Sequence, residues 1–117
     1  MYCVYIPDKE ITTEGILLSL GVSYKLSGFR YAEYMIEKAV EDPDCLLLIT
    51  KILYPEVAEK FNVSPNAVEN SLRKLINVCW NKPDHYMLNE IAGRELKKPP
   101  SNLEFLHMLS AYIKQFK

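Results

Sequence analysis

The chain has 117 residues, of which 49% are hydrophobic and 25% charged, and its formal net charge is −1. These values are typical of one soluble globular domain and exclude a disordered chain, a collagen-like chain and a disulfide scaffold. The apolar residues are interrupted too often for a membrane span, and the apolar residues 1–6 lack the basic leader of a signal peptide. We therefore expect a cytoplasmic domain whose three cysteines, which form no CxxC pair, stay reduced.

The charge is divided unevenly along the chain. Residues 1–50 contain four Lys or Arg and eight Asp or Glu, whereas residues 51–117 contain ten and seven. The second part is net positive, so a polyanion such as a nucleic acid is expected to bind there.

Helical periodicity dominates the chain and predicts an all-α fold, although residues 2–6 weakly resemble a strand. A short first helix follows Thr12 and Thr13, with Gly21 at its C-terminal end. A second helix opens at Ser27 or Gly28 and stops at residues 42–44, and its apolar residues recur on one face. Residues 45–53 form a near-continuous apolar run, which predicts a buried helical segment.

Residues 55–80 predict two helices that flank a three-residue turn. Pro55 suits the first turn of the earlier helix, and Asn62 ends that helix because asparagine tolerates the left-handed conformation. Ser64 is a good N-cap, Pro65 suits the first helical position, and the later helix then reaches about Trp80.

The spacing of small and apolar residues in this segment is typical of a helix-turn-helix. Ala58 is small where the two helices would cross, and Val63 and Val68 are expected to point into the wedge between them. The later helix divides into two stripes. The inner stripe is apolar and consists of Val68, Leu72, Leu75, Ile76, Cys79 and Trp80. The outer stripe has no carboxylate and consists of Asn66, Asn70, Arg73, Lys74 and Asn77.

The outer stripe has the chemistry that a DNA major groove accepts. Amide groups can fork onto adenine, a guanidinium can bind guanine, and an ammonium can bind phosphate. A solvated helix face would normally mix charges of both signs, so the stripe favours DNA binding.

The remaining chain predicts a loop at 81–84, a short helix from Tyr86 to Ala92 closed by Gly93, and a rigid basic connector at 97–100. In the last helix, Ser101 and Glu104 are spaced as a capping box. Its apolar face is predicted to contain Leu106, Leu109, Ile113 and Phe116.

Other residue clusters do not predict chemistry. His85 and His107 have no Glu or Cys at metal-ligand spacing, so no metal or cofactor is expected. No nucleophile elbow, Gly-rich phosphate loop or Cys/His pairing is present, so we expect neither an enzyme nor a small-molecule substrate. Cys79 and Trp80 are interpreted as packed residues.

Residues 49–80 resemble the DNA-binding effector domain of the sporulation response regulator Spo0A. They read ITKILYPEVAEKFNVSPNAVENSLRKLINVCW, and the family pattern is similar to ITK-x-LYP-x-(I/V)-A-x-KFN, followed by VE, R and a terminal Trp. The similarity extends over about residues 11–114. It implies a six-helix effector domain that docks its recognition helix in the major groove of double-stranded DNA, commonly as adjacent copies on tandem sites.

Three positions depart from that family. The family has arginines implicated in base reading where this chain has Ala67 and Asn70, whereas Glu69 and Arg73 are retained and Lys74 replaces a histidine. About ten residues precede the similarity, so the family's phosphorylated receiver domain is not expected within this sequence. We divide the chain into an N-terminal extension at 1–10 and an effector domain at 11–117, with the helix-turn-helix at 55–80.

These observations predict the DNA-binding domain of a transcription regulator. Its candidate base-facing residues are Asn66, Ala67, Glu69, Asn70, Arg73 and Lys74, and its candidate phosphate contacts are Lys51, Ser64 and Lys82. Glu69 either accepts a hydrogen bond from a cytosine amino group or orients Arg73 at i+4. The alternative function is a protein-interaction module or antagonist that has lost the base-reading arginines.

Overall fold

Six α-helices account for most of the computed structural model, which describes residues 12–82 and 85–116. No strand occurs within those ranges, so the all-α prediction is confirmed, while the strand-like residues 2–6 lie outside the described residues. The helices are α1 (Thr13–Ser19), α2 (Ser27–Glu41), α3 (Tyr54–Phe61), α4 (Pro65–Trp80), α5 (Tyr86–Ala92) and α6 (Asn102–Lys114). None of these helices is long and apolar enough to cross a lipid bilayer.

Local capping signals determine several helix ends, as predicted. Thr12 caps α1 by accepting a hydrogen bond from the backbone N–H of Gly15, at 2.9 Å. The capping box of α6 is complete, because Ser101 Oγ accepts from the N–H of Glu104 and Glu104 Oε1 accepts from the N–H of Ser101. The hydrogen bond from the Ser101 N–H holds the pKa of the Glu104 carboxyl below its usual value.

Helix α2 lies at the centre of the fold and packs against α1, α4 and α6. Its predicted apolar face is buried at Phe29, Ala32, Ile36 and Ala39, and Val40 is half-buried. The last helix contributes Leu106, Leu109 and Ile113 to the same core. The prediction for Phe116 was wrong, because this residue lies beyond the end of α6 and is 53% exposed.

The apolar run at 45–53 differs most from its prediction. It is helical, but it consists of a 3₁₀ segment (Pro43–Leu48) followed by a π segment (Ile49–Leu53), and only Leu46 and Leu53 in it are buried. Leu47 is 77% exposed. Because 3₁₀ and π turns do not share the period of an α-helix, the apolar side chains of this run leave the segment in different directions. The prediction of a buried helical segment was therefore wrong about burial.

A carboxylate contact joins α2 to α3. Glu56 Oε2 accepts hydrogen bonds from Lys38 Nζ at 2.8 Å and from the Tyr34 hydroxyl at 2.6 Å. These two donors hold the pKa of the Glu56 carboxyl below its usual value. The contact fixes α3 on the central helix α2.

Candidate nucleic-acid interface

The turn between α3 and α4 has a defined backbone geometry. Asn62 has the left-handed conformation, with φ of 59°. The N–H of Val63 donates to the carbonyl of Ala58 at 2.9 Å, and the N–H of Asn62 donates to the carbonyl of Glu59. These two hydrogen bonds form a Schellman motif, which ends α3 and redirects the chain into α4. The predicted turn at Asn62 is thereby confirmed.

The wedge between α3 and α4 contains Ala58 and Val68, both of which are buried. Val63 does not belong to it, because its side chain is 36% exposed. The prediction that Val63 is packed in the wedge like Val68 was therefore wrong about burial.

Helix α4 presents two different faces. Of its inner stripe, Trp80 is half-buried and the other five residues are buried. All five residues of the outer stripe are exposed, namely Asn66, Asn70, Arg73, Lys74 and Asn77. The two remaining candidate base-facing residues, Ala67 and Glu69, are half-buried on the flank. The helix therefore offers solvent a surface of amides and cations, with the Glu69 carboxylate at its flank.

The N-terminal end of α4 is exposed and capped. Ser64 Oγ accepts a hydrogen bond from the N–H of Ala67 at 3.1 Å, and Pro65 occupies the first helical position, as predicted. The first turn contains no acidic residue. The positive end of the helix dipole is thus not neutralised locally, and the Ser64 hydroxyl can still donate its own hydrogen to an anion.

Three residues of α4 form a polar cluster on its surface. Arg73 donates from Nη2 to Glu69 Oε2 at 3.0 Å and from Nη1 to Asn70 Oδ1 at 3.2 Å. Glu69 therefore orients Arg73, which is one of the two roles considered for it. Because a guanidinium has only donors, the oxygen of the Asn70 amide must face it, and the NH₂ group is left as the end that can meet a ligand.

Asn102, at the start of α6, fastens α4 to the rest of the domain. Its Nδ2 donates to the backbone carbonyl of Glu69 at 3.1 Å and to the Tyr54 hydroxyl at 3.0 Å. Tyr54 is buried, and this burial raises the pKa of its hydroxyl. One amide thereby joins the beginnings of α3 and α6 to the second turn of α4. The sequence offered no local signal for this contact, which spans 33 residues.

Helix α2 approaches the backbone of α4 on another side. Ser27 Oγ donates to Ser71 Oγ at 3.1 Å. A Cβ atom added at Gly28 would lie 2.4 Å from the carbonyl oxygen of Ser71. The absence of a side chain at Gly28 therefore allows the close approach of the two helices.

The three candidate phosphate contacts lie in different parts of the fold. Lys51 is exposed in the π segment directly before α3, and Ser64 caps α4. Lys82 follows the other end of α4, and its side chain lies over Gly21, since an added Cβ there would be 2.5 Å from Lys82 Cε. Because the 16 residues of α4 span about 24 Å, Ser64 and Lys82 cannot contact the same phosphate.

The two histidines and the buried cysteine were not candidate DNA contacts, and the structure shows how each is placed. His85 is half-buried and stacks on Trp80, with 4.0 Å between ring centroids, whereas His107 is exposed. Burial raises the pKa of the Cys79 thiol to about 12, as expected for a packed rather than a reactive thiol. Within residues 12–82 and 85–116, no three His, Cys, Asp or Glu side chains are grouped as metal ligands would be.

Comparison with protein families agrees with this geometry. The family described as "Sporulation initiation factor Spo0A C terminal" matches residues 13–113, from the first residue of α1 to the last turn of α6. The chain belongs to the Spo0A C-terminal family. The family is one of DNA-binding effector domains with a regulatory rather than a catalytic role. Membership of the Spo0A C-terminal family confirms the resemblance found at residues 49–80.

Proposed function

We propose that this chain is the DNA-binding domain of a transcription regulator related to Spo0A, and that α4 is its recognition helix. One observation supports this proposal above all others: all five residues of the outer stripe are exposed, and they are amides and cations with no carboxylate among them. An α-helix fits the major groove of B-DNA, where such side chains can contact base edges. The helix-turn-helix proposed at 55–80 corresponds to α3 and α4, apart from Tyr54 at the start of α3.

The proposed base-facing residues are Asn66, Ala67, Glu69, Asn70, Arg73 and Lys74. Arg73 can donate to guanine, and the Ala67 methyl can contact the methyl group of thymine. Glu69 acts first by orienting Arg73, and its second carboxylate oxygen can accept from a cytosine amino group. The outer stripe therefore supports recognition of base edges even though two arginines of the family are replaced here.

The proposed phosphate contacts are Lys51, Ser64 and Lys82. Lys51 and Lys82 are exposed cations beside the ends of the two motif helices, and Ser64 offers a hydroxyl next to the positive end of the α4 dipole. Contacts of this kind set the position of a protein on DNA without reading sequence.

The salt dependence of binding to a random duplex tests the proposal. The two lysine contacts alone, Lys51 and Lys82, predict a slope of log affinity against log salt at least as steep as about −1.8, which is a loss of about tenfold or more between 50 and 200 mM salt. Fluorescence anisotropy of a labelled duplex measures both affinities. Binding that is absent, or equal at the two salt concentrations, would contradict the proposal.

A pair of variants tests the position of the interface. Arg73→Ala with Lys74→Ala removes two cations from the outer stripe and should weaken binding to a preferred duplex by about tenfold or more. Lys114→Ala removes an exposed cation from the far end of α6 and serves as the control. Equal losses in the two proteins would indicate that net charge, and not the outer stripe, determines binding.

The alternative proposal is a protein-interaction module or antagonist. One observation favours it: Leu47 and Leu103 are exposed and line a shared apolar groove with Pro43, Leu46 and His107. Such a groove does not select a class of partner, whereas the outer stripe selects nucleic acid by its chemistry. The alternative becomes preferable if the salt titration finds no DNA binding.

We also propose that copies of the domain associate on tandem DNA sites, as the family resemblance implies. The test compares duplexes that carry one or two copies of a selected site. If the domains associate, the affinity of each domain should be higher on the duplex with two sites than on the duplex with one site. Equal affinities per site on the two duplexes would contradict association.

A further inference from the structure

Beside the outer stripe of α4 lies a second surface that can meet DNA. A groove separates the two, with Arg73 and Asn77 of α4 on one wall and residues 99–103 on the other. The second wall is the end of the basic connector, defined as Lys97 to Pro100, together with the start of α6. Pro99 and Pro100, the end of the connector, therefore lie across this groove from the proposed recognition helix, and Lys97 and Lys98 directly precede them in the chain.

Buried residues hold the connector at both ends. Leu96 is 6% exposed and donates its backbone N–H to Asn89 Oδ1 at 2.9 Å. Pro100 is buried at the other end, directly before the capping box of α6. Lys97, Lys98 and Pro99 between them are all exposed. Two lysines are thus presented from a backbone that is fixed on each side.

The carboxylates near these lysines neutralise them only weakly. Lys97 pairs with Glu95 at 3.5 Å, but both side chains are more than three-quarters exposed, so water and salt screen the pair. The other neighbouring carboxylate, Glu104, accepts the hydrogen bond from the Ser101 N–H and interacts electrostatically with Lys98 and Arg94. Residues 94–98 remain net positive, with three cations against one carboxylate.

The dimensions of DNA indicate what these lysines would meet. A helix with its side chains is about 10–12 Å wide and the major groove is about 12 Å wide, so a docked helix fills the groove. A segment packed beside that helix must then face the sugar–phosphate backbone at the edge of the groove. An ammonium on an exposed, flexible stem is suited to a phosphate contact.

From this arrangement we propose that the connector is a second DNA-backbone contact, in which Lys97 and Lys98 bind phosphates flanking the groove that α4 enters. This inference rests on the proposed function of α4. It enlarges the interface from the helix-turn-helix to a separate element between α5 and α6. The two lysines contribute to affinity for any duplex and not to the choice of sequence.

The test measures the salt dependence of binding to a random duplex for the full chain and for Lys97→Ala, Lys98→Ala and the double variant. Each lost phosphate contact should make the log–log slope shallower by about 0.9, so the double variant should differ from the parent by about 1.8. Lys114→Ala at the other end of α6, about 18 Å away, is the matched control and should keep the parental slope. Lys97→Arg with Lys98→Arg should also keep it.

Each outcome separates this inference from the proposed function. If the parent binds with a steep slope and the double variant keeps that slope, the connector does not contact DNA. If the variants and Lys114→Ala change the slope equally, the effect is one of net charge and the inference is also overturned. If the parent itself shows no salt-dependent binding, the proposed function has failed. A Lys97→Gln, Lys98→Gln variant repeats the measurement if the alanine protein does not fold.

Discussion

Asn102 donates a hydrogen bond to the backbone carbonyl of Glu69, although the two residues are 33 positions apart in the chain. The same amide group donates to Tyr54, so α4 is fixed to the beginnings of α3 and α6 by one side chain. The orientation of the proposed recognition helix therefore depends on a residue outside that helix. Asn102 is a positioning residue in this sense.

Replacing Asn102 should affect both stability and base reading. Asn102→Ala removes two hydrogen bonds and should lower the free energy of unfolding by about 1–2 kcal/mol, measured by urea denaturation. Affinity for a preferred duplex should fall by a larger factor than affinity for a random duplex, because a displaced helix loses base contacts first. Asn102→Asp, which places an acceptor against the Glu69 carbonyl, should be worse than Ala. Equal losses on both duplexes would exclude a positioning role.

Lys51 and Lys82 should contribute phosphate contacts. Lys51→Ala or Lys82→Ala is expected to weaken binding to all duplexes alike and to make the log–log salt slope shallower by about 0.9. The measurement is an anisotropy titration at several salt concentrations. Parental slopes in both variants would show that these lysines lie away from the DNA.

Ala67 and Asn70 should shift base preference toward A·T pairs. Ala67 can contact a thymine methyl, and Asn70 can fork onto adenine N7 and N6. The fork requires the Asn70 oxygen, which Arg73 holds in the structure, so Arg73 must release it on DNA. Selection of bound sites from random duplexes measures the preference. In Asn70→Ala, discrimination at one base pair should fall by about 1–3 kcal/mol.

The double change Ala67→Arg, Asn70→Arg should restore the preference of the family. Asn70 is exposed and Ala67 is half-buried at the edge of the outer stripe, so the fold should tolerate two longer side chains. Binding to guanine-containing sites should tighten by about tenfold or more, since about 1.4 kcal/mol suffices for that factor. If the variant folds normally and gains nothing on such sites over random duplex, α4 does not lie in the groove as proposed.

Gly28→Ala should destabilise the protein, although alanine normally favours a helix by about 1 kcal/mol over glycine. The added methyl group would lie 2.4 Å from the carbonyl oxygen of Ser71, and it can be accommodated only if α2 and α4 move apart. Overpacking of this kind typically costs about 1–3 kcal/mol. The sign of the change in the free energy of unfolding therefore shows whether overpacking outweighs the gain in helix propensity. A more stable Gly28→Ala protein would contradict the close approach of the helices.

Glu56→Gln should lower the melting temperature at neutral pH and have little effect in acid. The folded-state pKa of Glu56 is lowered by Lys38 and Tyr34, so its ionised form stabilises the fold above the unfolded-state pKa of about 4.5. That contribution is lost as the pH falls through the folded-state pKa. Glu59→Gln, on the exposed side of α3, is the control. A difference between parent and Glu56→Gln that persists in acid would indicate a packing effect instead.

Predictions from sequence succeeded where the cause of the structure is local. Thr12, Asn62 and Ser101 determine helix ends through their own backbone and side-chain chemistry, so their positions could be read directly. The burial of residues 43–53 could not be predicted in this way. An apolar run shows that a segment is hydrophobic, but it does not show which side of a 3₁₀ or π turn faces the core. Phe116 was misplaced for a related reason, since the α-helical repeat ends before it.

In the candidate site, too, features with a local cause were predicted and features that depend on long-range packing were not. The outer stripe followed from helical spacing alone, whereas the contacts that hold α4 join distant parts of the chain. Neither Asn102 with Glu69 nor Gly28 with Ser71 has a sequence signature, because each pair depends on how α2, α4 and α6 pack. The cluster of Glu69, Asn70 and Arg73 lies between these cases: its i+4 pair was foreseen, but the Asn70 contact was not.

The hydrogen bond from Asn102 reaches the carbonyl oxygen of Glu69, and Gly28 allows α2 to approach the carbonyl oxygen of Ser71; every amino acid carries such an oxygen. Substitutions at the exposed outer positions leave these attachments intact, so the scaffold constrains the main chain of the helix and leaves its outward chemistry variable. A lineage of such domains could therefore acquire new operators by exchanging a few surface residues, without re-optimising its core. The same property makes randomised libraries at positions 66, 67, 70 and 74 a practical route to altered DNA specificity.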